Sequence, residues 1–299
     1  MRTVGLTAWF AVALAGRAAA HGGEVHGAQP AWTFDPWIIL PLLIVGVPYL
    51  VGAAVLRKRI IAGRGVRAWR STAFAAGWLA LAGALISPLH WLGEHLFTFH
   101  MIEHEIVMAV SAPLLVAARP IGTMLWSLPR KARLAAGRLL RRRSVVAAWD
   151  WLSSGGNATV LHGLAIWAWH APVLFDAAVT NQAVHRLQHL SFFLTAILFW
   201  WSVIYRSNPG VAAWHLFATM MHTSVLGALM ALAPKVLYDA QTATAAGWGL
   251  TPLQDQQLAG LIMWVPAGTI YAGAAMAMTV IWIRRSGEMR RRSDAIGAV

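Results

Sequence analysis

Runs of about 20 apolar residues recur along this chain, each long enough to cross a hydrocarbon layer as one helix. No water satisfies the backbone inside such a layer, so helix is the form these runs must take. The chain has 299 residues, 58% hydrophobic and 12% charged, the balance of an integral membrane protein. Seven runs stand out: 36–56, 70–89, 95–118, 158–175, 184–205, 212–233 and 256–283. The last is long enough for tilt or an interfacial end. The expected fold is all-α, a polytopic bundle of seven transmembrane helices after an N-terminal signal segment, in one membrane domain spanning 36–283.

Residues 1–20 read as a signal peptide: Arg2 precedes an apolar run, and Ala18-Ala19-Ala20 offers a small-residue cleavage site. Arg17 is atypical so close to that site, and retention as an extra span is the alternative. Residues 21–35 form a short leader expected on the outer side. Cleavage would start the chain at His21, whose free amine beside an imidazole can chelate Cu(II); a Gly-rich disordered leader is the plainer reading.

The net charge is +13. Its placement argues against nucleic acid, because the cations sit between apolar runs, where they set orientation and meet anionic lipid. Arg57, Lys58, Arg59, Arg64, Arg67 and Arg70 separate the first two runs. Arg130, Lys131, Arg133, Arg138, Arg141, Arg142 and Arg143 lie between the third and fourth. Arg284, Arg285, Arg290, Arg291 and Arg292 fill the tail, 284–299. Seven spans put all three segments on one side, which the positive-inside rule makes cytoplasmic. In the long loop 120–157, Pro129–Trp151 alternates arginines with Leu, Val and Trp at helical spacing, as a helix lying on the membrane surface would.

Seven of the twelve histidines, His90, His95, His100, His104, His170, His185 and His189, then fall at or near the outer end of the spans. Intramembrane imidazoles are costly and mark function. His100/His104 and His185/His189 are each one helical turn apart, so each pair can offer two nitrogens to one ion. At ~1.5 Å rise per residue, His104 and His170 lie roughly 5 Å outward of mid-membrane, and His100 and His189 roughly 10 Å. Met108 continues the His100/His104 face inward by the helical count. Glu103 and Asp255 are candidate carboxylates to orient imidazoles or balance charge, and His222 lies deeper as a candidate accessory residue. His162 and His215 read as interhelical hydrogen-bonding residues, and His90 and His95 as interfacial ones. Most methionines read as packing, and the 17 tryptophans as interfacial belts. With no cysteine in the chain, thiolate sites are excluded. Imidazole suits copper, zinc and iron, and nearby thioethers with an extracytoplasmic position tilt the choice to copper.

Several segments resemble one known family. They are His100-Met101-Ile102-Glu103-His104 with Ala112-Pro113-Leu114-Leu115 and Arg119-Pro120; Trp169-His170-Ala171-Pro172 with Leu174-Phe175-Asp176; His185-Arg186-Leu187-Gln188-His189-Leu190-Ser191-Phe192-Phe193 with Phe199-Trp200-Trp201; and Asp255-Gln256-Gln257-Leu258-Ala259-Gly260-Leu261-Ile262-Met263-Trp264. Together they look like the caa3-type CtaG family of cytochrome c oxidase assembly factors. Two positions depart from its usual pattern: Glu105 stands where Met often follows the second histidine, and Gln188 where Glu often precedes His189.

The resemblance implies an inner-membrane protein that helps mature a haem–copper oxidase, by supplying or handling copper for its subunit I. The sequence has no evident nucleophile triad or phosphate-binding loop, so no enzymatic activity is expected. Periplasmic copper carriers are expected partners besides the lipid bilayer. The residues themselves make His100, His104, His170, His185 and His189 the expected copper ligands. They leave two rivals open: a bis-histidine haem electron-transfer protein and a metal-free assembly scaffold. A membrane di-iron desaturase is disfavoured, because its histidine boxes are expected on the cytoplasmic side.

Overall fold

The computed structural model describes residues 30–59 and 68–297, and every regular element among them is helical. The expected signal peptide, most of the leader and the loop arginines Arg64 and Arg67 lie outside the described residues. In chain order the helices are α1 (Pro36–Arg59), α2 (Ala68–Ile86), α3 (Pro88–His95), α4 (Phe97–Glu105), α5 (Ala112–Ala118), α6 (Pro120–Met124), α7 (Arg130–Leu140), α8 (Arg143–Leu152), α9 (Gly155–Trp169), α10 (Pro172–Thr180), α11 (Gln182–Trp201), α12 (Pro209–Ala231), α13 (Asp239–Thr242) and α14 (Pro252–Gly297).

Local chemistry sets these boundaries. Proline stands at or next to the first position of α3, α5, α6, α10 and α12, where its missing N–H costs nothing. Asn181 and Asn208 cap α11 and α12 through their side-chain oxygens. A reciprocal capping box starts α14: Thr251 N donates to Gln254 Oε1 at 2.8 Å and Gln254 N to Thr251 Oγ1 at 3.2 Å. A π-helical stretch, Ile106–Ser111, joins α4 to α5. It runs up to Pro113, which has no N–H to give the regular ladder. At the end of α5, Arg119 takes a left-handed conformation with φ 51°. Its guanidinium lies over the Tyr205 ring at 3.7 Å, while the Tyr205 hydroxyl bonds the Val116 and Ala117 carbonyls that the helix end leaves open.

Four helical stretches are long and apolar enough to cross a membrane: Pro36–Lys58, Phe97–Ala118, Gln182–Arg206 and Pro252–Glu288. Two bent pairs bring the number to as many as six: α2 with α3, bent by 46°, and α9 with α10, bent by 73°. The helix expected over 212–233 exists as α12 but is not among them; it carries His215, Thr219, His222 and Thr223, which dilute its hydropathy. The basic segment after the last apolar run is helical as well, because α14 continues without a break through residues 284–297. Leucines and valines at Leu50, Leu194, Leu229 and Val265 stay exposed on these helices. An apolar surface of that kind belongs in lipid, and the chain is a membrane protein.

The most extensive helix pair is α12 with α14. Glycines allow it: a methyl group built on Gly227 would lie 2.8 Å from the Gly260 carbonyl oxygen, so both positions must be bare for the backbones to meet. Side-chain and backbone ties gather the amino ends of α1, α4, α11 and α14 and the carboxy ends of α2 and α9 at one end of the bundle. Thr33 N donates to Ile86 O at 2.8 Å, and Arg186 pairs with Asp35. The basic helix α7 and the apolar-rich α8 follow α5 and α6 at the other end, and neither buries a residue.

Candidate metal centre

Three helices carry the imidazoles. α4 presents His100 and His104 one turn apart, with ring centroids 4.3 Å apart. α11 presents His185 and His189, whose Nε2 atoms lie 2.7 Å apart. His170 stands at the end of α9, where Pro172 bends the chain into α10. The rings interlock across helices: His104 lies 4.9 Å from His189 and 6.5 Å from His170, and His100 lies 5.4 Å from His185. One ligand nitrogen from each of His100, His185 and His189 lies within 4.8 Å of the others. Bonds of about 2.0–2.1 Å to one tetrahedral ion would put such atoms closer still, so the trio is looser than a filled site.

Hydrogen bonding explains why these rings are available. Both nitrogens of His100 and of His104 are buried without a partner, as are His189 Nδ1 and His170 Nε2. Burying a polar group without a hydrogen bond is costly, and an unprotonated imidazole nitrogen in that state is a ligand lone pair. His170 shows how its tautomer is set. Nδ1 donates to the Ile166 carbonyl at 2.7 Å, which leaves Nε2 to face the cluster as an acceptor. The Tyr238 hydroxyl anchors the same residue by donating to the His170 carbonyl at 2.7 Å. Burial and nearby Asp176 push that phenol up to about 12, so it stays a donor.

The carboxylates divide. Glu103, 1% exposed, bonds His90 Nδ1 at 2.8 Å through Oε1, and the same oxygen lies 3.6 Å from His189 Nδ1. It is an imidazole-orienting residue by geometry. Asp255 is instead committed to a helix terminus: its carboxylate accepts from Phe97 N at 2.7 Å and from Thr98 N at 3.0 Å, and from the Thr98 hydroxyl at 2.7 Å. α4 begins after Leu96, which has no side chain able to cap, and Asp255 supplies the cap from far along the sequence. Gln256 then holds Leu237 N and Lys235 O. The Asp255-Gln256 segment thus positions the helix that bears His100 and His104.

Two expected accessory residues lie elsewhere. Met108 falls in the π-helical stretch, where the register departs from the α-helical count, and it packs in the apolar core. His222 accepts from Trp167 Nε1 at 3.3 Å and sits against Gly163 of α9. His90 was undervalued by the sequence. It is 7% exposed, bonded to Glu103, with its ring 5.7 Å from His185. Ser87-Pro88 was the available signal: Ser87 Oγ caps Leu89 N and starts α3, which carries His90 into the bundle instead of along a loop. Gln188 is the other: fully buried between His185 and His189 in sequence, with both amide atoms unpartnered. His95 bonds and stacks on Trp91, as an interfacial residue would.

The sequence model of the cytochrome c oxidase caa3 assembly factor family (Caa3_CtaG) matches residues 47–285. The chain belongs to that family. It is also 25% identical over 281 residues to an uncharacterized protein of Mycobacterium bovis, and 24% identical over 285 residues to one of Mycobacterium leprae. Each alignment covers 88% of this chain and 41% of the relative, so the chain spans less than half the length of the curated relatives it matches. No solved structure matches it.

Proposed function

We propose that this chain handles copper during assembly of a haem–copper cytochrome c oxidase, holding the ion in the cluster of His100, His104, His170, His185 and His189. The observation that carries this reading is the set of buried imidazole nitrogens left without hydrogen-bond partners on His100, His104, His170 and His189 of three helices, beside the close trio of His100, His185 and His189. Family membership supports the oxidase as the destination. Copper fits the donor set: imidazoles without thiolates, in a chain with no cysteine. In this reading Glu103 orients His90 by its hydrogen bond and balances charge 3.6 Å from His189 Nδ1, while His90 completes the hydrogen-bonded rim. The loose trio suits a carrier, which must release what it binds.

With α12 counted as a seventh span, this reading would put the cluster on the periplasmic side of the inner membrane and the basic helix α7 in the cytoplasm. Copper would then arrive from periplasmic carriers and leave to oxidase subunit I. A haem held by two of these histidines is less well supported: the rings pack on each other and on Phe175 and Phe192, and a porphyrin plane would have to displace both.

Metal analysis and an optical spectrum of the purified full-length protein, loaded with copper and washed, test the proposal. Retained stoichiometric copper without a Soret band is expected. Stoichiometric haem, or no retained copper, would overturn it.

A further inference from the structure

A cavity of about 250 Å³ lies between α1, α2, α3 and α11, with Val107 and Leu115 beyond α4 also lining it. Its walls are apolar and include Leu42, Val45, Leu81, Phe193 and Leu194. Trp78 is fixed as part of that wall because its Nε1 already donates to the Leu42 carbonyl at 3.0 Å. From Asp35 to Val45 the lining runs along α1, roughly 15 Å at the helical rise. The volume is near the lower edge of small-molecule pockets, enough for a head group and the first part of a tail.

One end of this cavity is polar. His90, Glu94, His185 and Arg186 line it, with Asp35. The charges there are already matched. Arg186 Nη2 lies 2.7 Å from Asp35 Oδ2 and its Nε donates to the same oxygen at 2.9 Å. Glu94 adds a further acid, 3.8 Å from His90. A phosphate or carboxylate head would find no uncompensated cation and would meet two carboxylates. A neutral head that accepts hydrogen bonds fits better, since the Asp35 pair engages only Nε and Nη2 of Arg186 and a guanidinium carries five N–H donors. Trp37, under the Arg186 guanidinium at 5.7 Å, and Trp78 add flat surfaces.

We propose that this cavity binds a membrane quinone, a neutral flat ring with carbonyl acceptors on an isoprenoid tail. The ring lies at the His90–His185–Arg186 end and the tail runs along Leu42, Val45 and Leu81. His185 and His189 line both this cavity and the imidazole cluster, so the ring lies beside the proposed copper site. The site itself does not depend on copper binding.

The test uses metal-free, chelator-washed full-length protein in a mild detergent, titrated with decylubiquinone by isothermal calorimetry. Saturable binding is expected, and Leu81→Trp or Val45→Trp should weaken it at least tenfold by filling the wall. Leu164→Trp, on an exposed face of α9, should leave it unchanged. Decylbenzene carries the same tail without carbonyls and should bind wild-type protein at least tenfold more weakly, a comparison that needs no variant to fold. Equal binding of decylbenzene, absence of saturable binding, indifference to both filling variants, or displacement by phosphatidylglycerol would each overturn the proposal. Copper retention by the filled variants is read separately, so the failure of one site is distinguishable from that of the other.

Discussion

Two groups of histidines share this bundle and differ in their neighbours. His162 is fully buried, yet Nδ1 meets Thr195 Oγ1 at 3.1 Å, Nε2 meets the Tyr271 hydroxyl at 3.5 Å, and the ring stacks on Phe199. His215 bonds the Thr159 hydroxyl at 3.0 Å. Around His100, His104, His170 and His189 the neighbours are other imidazoles and phenyl rings, and nitrogens are left without partners. Burial alone does not make a histidine a ligand. What distinguishes the second group is that the fold leaves at least one nitrogen of each ring without a hydrogen-bond partner, among other imidazoles.

Breaking the cluster should have the largest effect. His185→Ala combined with His189→Ala is expected to abolish copper retention, while His162→Ala leaves it unchanged; equal losses in metal analysis would erase the distinction between the groups. Glu103→Gln keeps the shape but weakens the orienting contact. It should lower copper affinity about 10–100-fold in chelator competition, and a change under threefold would remove Glu103 from the site. Asp255→Ala should cost the bundle about 0.5–2 kcal/mol as a lost helix cap, read in denaturant unfolding, with a smaller effect on copper. Abolished copper retention at unchanged stability would make Asp255 a ligand instead. The smallest effect belongs to His215→Ala, expected to cost about 0.5–1.5 kcal/mol for one hydrogen bond and to leave copper affinity untouched.

Much of the candidate site was legible because helical spacing is local. The pairs His100/His104 and His185/His189 follow from a four-residue interval on any helix. His170 was legible from Pro172, which ends α9 just beyond it. His90 was not, because the bend at Ser87-Pro88 turns what looked like a loop into α3 and aims it at Glu103. The sequence makes Asp255 a candidate partner of imidazoles; only the packing of α14 against α4 shows that its carboxylate goes to the backbone N–H groups of Phe97 and Thr98. Met108 was misplaced for a related reason, since the π-helical stretch changes the register after Glu105.

The amino-acid sequence by itself determined that this chain is a helical membrane protein, with its cations gathered in segments that alternate with its apolar runs. Those properties depend on hydropathy and charge summed over tens of residues, and they do not require knowing which helix touches which. It also determined which histidines share a helix face. The tertiary structure decided which faces meet: that α4, α9 and α11 converge on one knot of imidazoles, that α14 caps α4, and that His162 finds a threonine and a tyrosine while His100 finds neither. Those outcomes are contacts between residues up to 158 positions apart, set by helix packing at close-fitting positions such as Gly227 and Gly260, where the absence of one methyl group decides the approach.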